Sequence, residues 1–228
     1  NTYSGGTTVN AGTLTLSGSG TLGATSGALT IGAGTVNLGG LSRTNGAFTL
    51  DTGTLTNGTL TATSYALTNA GNVYAILAGS GALTKSGAGT ATLTNANTYS
   101  GGTTVNAGTL TLSGSGTLGA TTGALTIGAG TVDLGGLSRT NGAFTLDSGT
   151  LTNGTLTATS YALTNAGTVS AILAGSGALT KSGSGTNTLS GANTFTGGAT
   201  LNAGTVAISA NSALGNGSVT VASNATIS

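Results

Sequence analysis

Only seven side chains in this 228-residue sequence carry a full charge at neutral pH: Asp51, Asp133, Asp147, Arg43, Arg139, Lys85 and Lys181. His and Cys are absent. Catalysis would have to be built from the three acids. A carboxylate pair for glycoside cleavage needs its members about 5–9.5 Å apart. Asp51 and Asp147 occupy equivalent places in two copies of a 96-residue repeat (147 − 51 = 96). Stacked strands would hold them ~24 Å apart. Asp133 stands where the first copy has Asn37, on an outward strand position, and Asp147 precedes a turn Gly. With neither imidazole nor thiol, few general bases and nucleophiles remain. "TKSG" at Thr84 lacks the Gly–Lys order and the helix of a phosphate-binding loop. Calcium repeats of the "GGxGxD" kind are missing. No catalytic, cofactor or metal site is therefore expected, and a polysaccharide-active β-helix enzyme is the least favoured alternative.

The cations also recur 96 residues apart, Arg43 with Arg139 and Lys85 with Lys181. They are expected at solvated corners, where sparse charge limits sideways aggregation. A net charge of +1 argues against nucleic acid, which demands clustered Lys and Arg. No apolar stretch approaches the roughly 18–20 residues that span a bilayer, so no membrane insertion by this segment is expected. Met is absent, and the chain is read as a segment of a longer one.

The elements that position these groups follow from repetition. "NTYSGGTTVNAGTLTL" opens the chain and returns at Asn97, and "NTFTGGATLNAGTVAI" begins at Asn193. Residues 1–96 and 97–192 match at 87 of 96 positions, and residues 193–228 start a third copy. Inside each copy a Gly precedes an alternating stretch: Gly12, Gly34, Gly53, Gly71, Gly89, Gly108, Gly130, Gly149, Gly167, Gly185 and Gly204. The first five spacings are 22, 19, 18, 18 and 19. After Gly12, Thr13 and Thr15 alternate with Leu14 and Leu16, which is the period of a strand with one buried face. Units of about 19 residues with short strands and Gly-rich corners predict an all-β parallel solenoid. Some 12 coils at ~4.8 Å each would make one continuous rod ~57 Å long. The turn Gly residues are expected to supply positive φ at a repeated corner.

Outward positions then line up in columns. One reads Thr13, Thr35, Thr54, Asn72, Thr90, Thr109, Thr131, Thr150, Thr168, Thr186 and Thr205. Its neighbour reads Thr15, Asn37, Thr56, Tyr74, Thr92, Thr111, Asp133, Thr152, Ser170, Thr188 and Ala207. The Thr pairs at 13/15, 54/56, 90/92, 109/111, 150/152 and 186/188 form the candidate interaction face. Thr is also simply a good exposed strand residue. A Thr grid resembles the face of ice-binding solenoids, and ice binding is kept as an alternative. Phe48 and Phe144 are expected in the core. Tyr3, Tyr99 and Phe195 are expected to stack at one corner. Leu110 is expected inside, between Ala91 and Val132, and Asn187, the counterpart of Ala91, would need a polar partner there.

"LTKSGAGTATLTNANTYSGGTTVNAGTLTL", Leu83 to Leu112, resembles the autotransporter-associated β-strand repeat, also called the passenger-associated transport repeat. So does "LTKSGSGTNTLSGANTFTGGATLNAGTV" from Leu179, and residues 1–16 resemble its tail. The resemblance implies a right-handed parallel β-helix in a large secreted or surface-displayed bacterial protein, with a repeat tied to export and not to catalysis. It implies adhesion to surfaces, cells or other copies. The expected protein is a non-enzymatic extracellular stalk or filament segment without cofactors. Its partners would be copies of itself or other surface polymers.

Overall fold

The computed structural model describes residues 1–228. They form two compact units, Asn1–Ala120 and Thr121–Ser228. Unit 1 holds β1 (Thr7–Val9), β2 (Thr13–Thr15), β3 (Leu29–Ile31), β4 (Thr35–Leu50), β5 (Thr54–Leu67), β6 (Gly71–Ala78), β7 (Ala82–Lys85), β8 (Thr90–Leu93), β9 (Thr103–Val105) and β10 (Thr109–Leu112). Unit 2 holds β11 (Leu125–Ile127), β12 (Thr131–Leu146), β13 (Thr150–Leu163), β14 (Gly167–Val169), β15 (Ile172–Ala174), β16 (Ala178–Lys181), β17 (Thr186–Leu189), β18 (Ala199–Leu201), β19 (Gly204–Ile208), β20 (Val219–Val221) and β21 (Ala225–Ile227). The pairings within each unit are parallel and join strands one turn apart. The chain is a β-solenoid with turns about 19 residues apart.

Each turn has three sides, visible where β4 and β5 run side by side. Val36 pairs with Leu55 on the first side, Arg43 with Leu60 on the second, and Phe48 with Tyr65 on the third. Alternation sends Thr outward and mostly Leu, Val or Ile inward, although on the second side β4 puts Arg43 and Asn45 in the inward register opposite Leu60 and Ala62. Val36, Leu55, Leu60, Phe48 and Leu50 are fully buried or nearly so. Each buried aliphatic side chain contributes ~1.5–3 kcal/mol once its neighbours cover it. Leu110 lies inside opposite Ala91, as alternation requires.

The corner between the first and second sides explains both a polar column and a strained residue. β4 turns it with Leu38, Gly39 and Gly40, the two glycines having φ of 63° and 75°. β5 turns it with a single residue, Asn57, at φ 55°. Asn37 Oδ1 accepts from the Gly39 N–H (2.9 Å) and from Asn57 Nδ2 (3.2 Å). In unit 2 Asp133 does the same for Gly135 (2.8 Å) and Asn153 (3.0 Å).

The turn glycines depart from expectation. Of the eleven, only Gly12, Gly108 and Gly204 have positive φ. Elsewhere the demand is for space. A Cβ at Gly53 would stand 2.2 Å from the Gly34 carbonyl oxygen, and one at Gly149 2.2 Å from that of Gly130. These carbonyls carry the ladder, since the Thr54 N–H donates to Gly34 O and the Thr150 N–H to Gly130 O, each at 2.9 Å.

Candidate interaction faces and interior polar sites

The twelve Thr residues of the candidate face all avoid the core. Thr13, Thr15, Thr90 and Thr186 are exposed. Thr54, Thr56, Thr92, Thr109, Thr111, Thr150, Thr152 and Thr188 are half-buried. Their columns, however, are not those expected. Thr13 pairs with Thr35, Thr35 with Thr54 and Thr54 with Asn72. Asn72 then pairs with Thr92, not Thr90, and Thr92 with Thr111. Unit 2 repeats the slip, with Thr168 against Thr188 and not Thr186. The column begun by Thr13 has thus moved two places by Thr111, and the straight two-column grid does not form. Tyr74 projects outward, 44% exposed.

The slip arises at a corner. Gly87 lies so deep against the preceding turn that a Cβ would fall 1.6 Å from the Thr68 carbonyl oxygen, and Gly183 meets Thr164 in the same way. The Gly89 N–H donates to Asn69 Oδ1 (3.1 Å). Gly71 consequently faces Ala91, and Gly167 faces Asn187. Asn187 is fully buried. With its amide turned to satisfy both ends, it donates to Asn165 O (2.8 Å) and accepts from the Gly167 N–H (3.0 Å). The missing side chain of Gly167 leaves room for that amide.

Lys85 and Lys181 overturn the expectation of solvated corners. Both are fully buried. Lys85 stands in an inward column between Leu67 and Val105, and Lys181 between Leu163 and Leu201. The aliphatic stem takes the place of a Leu, and the ammonium reaches the corner carbonyls. Lys85 Nζ donates to Gly87 O and to Ala107 O (3.4 Å). Lys181 Nζ donates to Gly183 O and to Asn165 O (3.1 Å). Burial lowers the pKa of both amines. These lysines tie down the corner that makes the slip.

The third side keeps its register. Thr8 pairs with Thr30, Thr30 with Thr49, Thr49 with Ala66, Ala66 with Thr84, and Thr84 with Thr104. In unit 2 the column runs Thr126, Thr145, Ala162, Thr180, Thr200 and Thr220. Past one edge of it stand Asp51 and Asp147, while along the other edge lie small residues, Ala47, Ser64 and Ala82 in unit 1 and Ala143, Ser160 and Ala178 in unit 2. All six small residues are exposed. This column was legible in the "TTV", "LTI" and "LTK" triplets, but the Gly-led phrase draws attention to the first side.

Behind that side are the aromatics. Phe48 and Phe144 are core residues as expected. Tyr99 and Phe195 lie inside the turns and not on an outer corner. Of these three, Tyr3, in the first turn, is the one exposed, at 44%. Tyr65 packs between Phe48 and Tyr99, with ring centroids 6.2 and 5.6 Å away. Tyr161 repeats this between Phe144 and Phe195. The Tyr65 hydroxyl shares its one hydrogen between Leu60 O (3.0 Å) and Ala78 O and accepts from the Ala62 N–H (2.8 Å). Burial raises the pKa of Tyr65, Tyr99 and Tyr161. Tyr99 Oη bonds Thr103 Oγ1 (2.7 Å), which donates to Leu118 O (3.1 Å). In the third copy both partners change together, to Phe195 and Ala199, and both are buried.

The opening Asn of the repeated phrase is a staple between turns. Asn97 Oδ1 accepts from the Leu77 N–H (2.9 Å) and its Nδ2 donates to Thr117 O (3.1 Å). Asn193 bridges the Leu173 N–H (2.8 Å) and Ala213 O (2.6 Å).

The acids do not converge. Asp51 accepts from Thr68 Oγ1 (3.3 Å) and Asp147 from Thr164 Oγ1 (3.1 Å). Asp133 performs the corner role that neutral Asn37 performs equally well.

Parallel turns, an apolar bore and polar staples define a parallel β-solenoid. A family model described as the passenger-associated-transport-repeat matches residues 1–16, 83–112 and 179–208. The second and third segments contain the interior Lys, the slipped corner and the Asn staple. Repeat and fold together fit the passenger domain of an autotransporter. No curated protein and no solved structure matches the chain.

Proposed function

We propose that this chain is a structural and adhesive segment of a passenger displayed on the outer surface of a bacterium. In this reading it is a non-enzymatic stalk or filament that packs against copies of itself or other surface polymers. The supporting observation is the third side, an in-register column of Thr edged on one side by Ala and Ser, with its only outward charges, Asp51 and Asp147, at the corner beyond the other edge. The occupant favoured for that side is a second copy of the chain. Small side chains let two sheets approach closely, and the nearest charges, Asp51 and Asp147, sit at the corner and already accept from Thr68 and Thr164. Six strands at ~4.8 Å and some five residues at ~3.3 Å give each unit a face of ~480 Å². Two such faces bury ~950 Å², below the ~1,200–2,000 Å² of a standard interface. Stable packing therefore relies on several units engaging together, which repetition provides through avidity. The first side, with its slipped Thr columns, is the secondary surface.

Antibodies raised against residues 1–228 test the location. They should label intact cells of the source bacterium. Labelling only after permeabilisation would remove the passenger reading.

A further inference from the structure

The second side carries a feature that neither Thr face uses. A cavity of about 250 Å³ opens beside Arg43, lined by Thr21, Leu22, Gly23, Thr25, Ser42 and Thr44. It lies where the 22-residue interval from Gly12 to Gly34 leaves room for residues beyond the strands. Those residues form an irregular loop that docks on β4 through Asn45, whose Nδ2 donates to Gly27 O (3.2 Å). Arg43 Nη1 donates to the Ser42 carbonyl (2.9 Å), which fixes the guanidinium plane. Nε is buried and has no acceptor in the protein. No carboxylate lines the cavity, and the chain holds three acids in all. The guanidinium is thus a fixed, half-buried, uncompensated charge at the wall of a hydroxyl-lined hollow.

We propose that this hollow binds the carboxylate of a uronic-acid residue in an acidic polysaccharide. The Nη hydrogens not held by Ser42 can make a charge-assisted hydrogen bond to a carboxylate. Thr25, Ser42 and Thr44 line the same hollow with hydroxyls that can donate to or accept from a sugar's own hydroxyls. The volume falls below the ~300–1,000 Å³ of small-molecule pockets, which suits one ring of a polymer and not a whole free ligand. This inference stands apart from lateral packing, because it concerns the second side and is read with the chain dispersed.

The test is calorimetric binding of an oligogalacturonate trimer, its methyl ester and a sulfated neutral trisaccharide to the 228-residue chain. All measurements use an Arg139→Gln background, so that the second arginine masks nothing. The acid form should bind, and Arg43→Gln should weaken it about tenfold or more, the worth of a charge-assisted hydrogen bond. Thr25→Trp, which fills the hollow and leaves Arg43 in place, should do the same. Circular dichroism melts establish that both variants are folded. Equal binding of acid and ester, equal binding of the sulfated sugar, or unchanged affinity in both variants would overturn the proposal.

Discussion

The Thr8 side and the Thr13 side of the solenoid are written in the same letters, yet they stack differently. From Thr8 to Thr104 the column advances 96 residues (104 − 8 = 96), the length of the sequence repeat. From Thr13 to Thr111 it advances 98 (111 − 13 = 98), because of the step from Asn72 to Thr92. Inward residues stay inward on both sides, since a shift of two preserves the period-2 alternation while a shift of one would invert it. Hydrophobic burial therefore has no power to choose between the two registers on the Thr13 side. The corner chooses, through the seat of Gly87 on Thr68, the Asn69 bond to Gly89 and the ammonium of Lys85.

The comparison breaks most severely at that corner. Gly87→Ala forces a Cβ into the Thr68 carbonyl and should destabilise by about 3 kcal/mol, the upper end of overpacking costs. Gly5→Ala, with nothing within 4 Å of its added carbon, should stay within about 0.5 kcal/mol. Denaturant titration of the two variants gives the contrast. Equal effects would mean that the slipped corner is not tightly seated.

On the Thr8 side the sharper test is the buried Tyr99–Thr103 pair. Thr103→Ala leaves the Tyr99 hydroxyl buried without its partner and should cost about 1–3 kcal/mol. Adding Tyr99→Phe reproduces the Phe195–Ala199 arrangement and should recover most of the loss. A double-mutant cycle reads the coupling, and simple additivity would contradict the pairing.

Alkaline titration separates the interiors behind the two arrangements by sign. Burial raises Tyr65, Tyr99 and Tyr161 above the ordinary 10.0. They stabilise fully below pH 10, and this contribution is lost as unfolded tyrosines ionise above it. Burial lowers Lys85 and Lys181 below 10.5. Folding then binds fewer protons than the unfolded chain, so their burial penalty shrinks as pH rises from the folded pKa towards 10.5. Tyr99→Phe should soften the loss of thermal stability above pH 10. Lys85→Met should remove part of the gain below it. An unchanged profile in Lys85→Met would mean that its amine titrates as if in water.

Much of this was legible in the residues. Gly spacing gave the turn length, and Thr–Leu alternation gave inside and outside for Val36, Leu55 and Leu110. The slip was not legible, because "KSGAGT" offers Gly87 and Gly89 at the same parity, and a period-2 pattern fits either. Lys85 follows Leu83 and Thr84, so alternation already pointed it inward. Its charge argued the other way, and only the convergence of carbonyls from distant turns explains why alternation won. The small-residue edge of the Thr8 side was written in Ala47, Ser64 and Ala82, residues too ordinary to stand out before their stacking was known. The Arg43 hollow depends on how an irregular loop docks, which no periodicity encodes.

The central claim is that the in-register Thr8 side is the main packing surface between copies. Sedimentation velocity over a range of concentration and salt tests it with two variants of the 228-residue chain. One places Lys at Thr49, Thr84, Thr145 and Thr180. The other places Lys at Thr54, Thr56, Thr150 and Thr152. All eight positions point outward, so both variants should melt like the parent. The parent should form larger species as concentration rises, with little dependence on salt because few ion pairs are available. The first variant should sediment as a monomer while the second still assembles. A parent that stays monomeric throughout, or assembly abolished by the second variant and spared by the first, would contradict the claim.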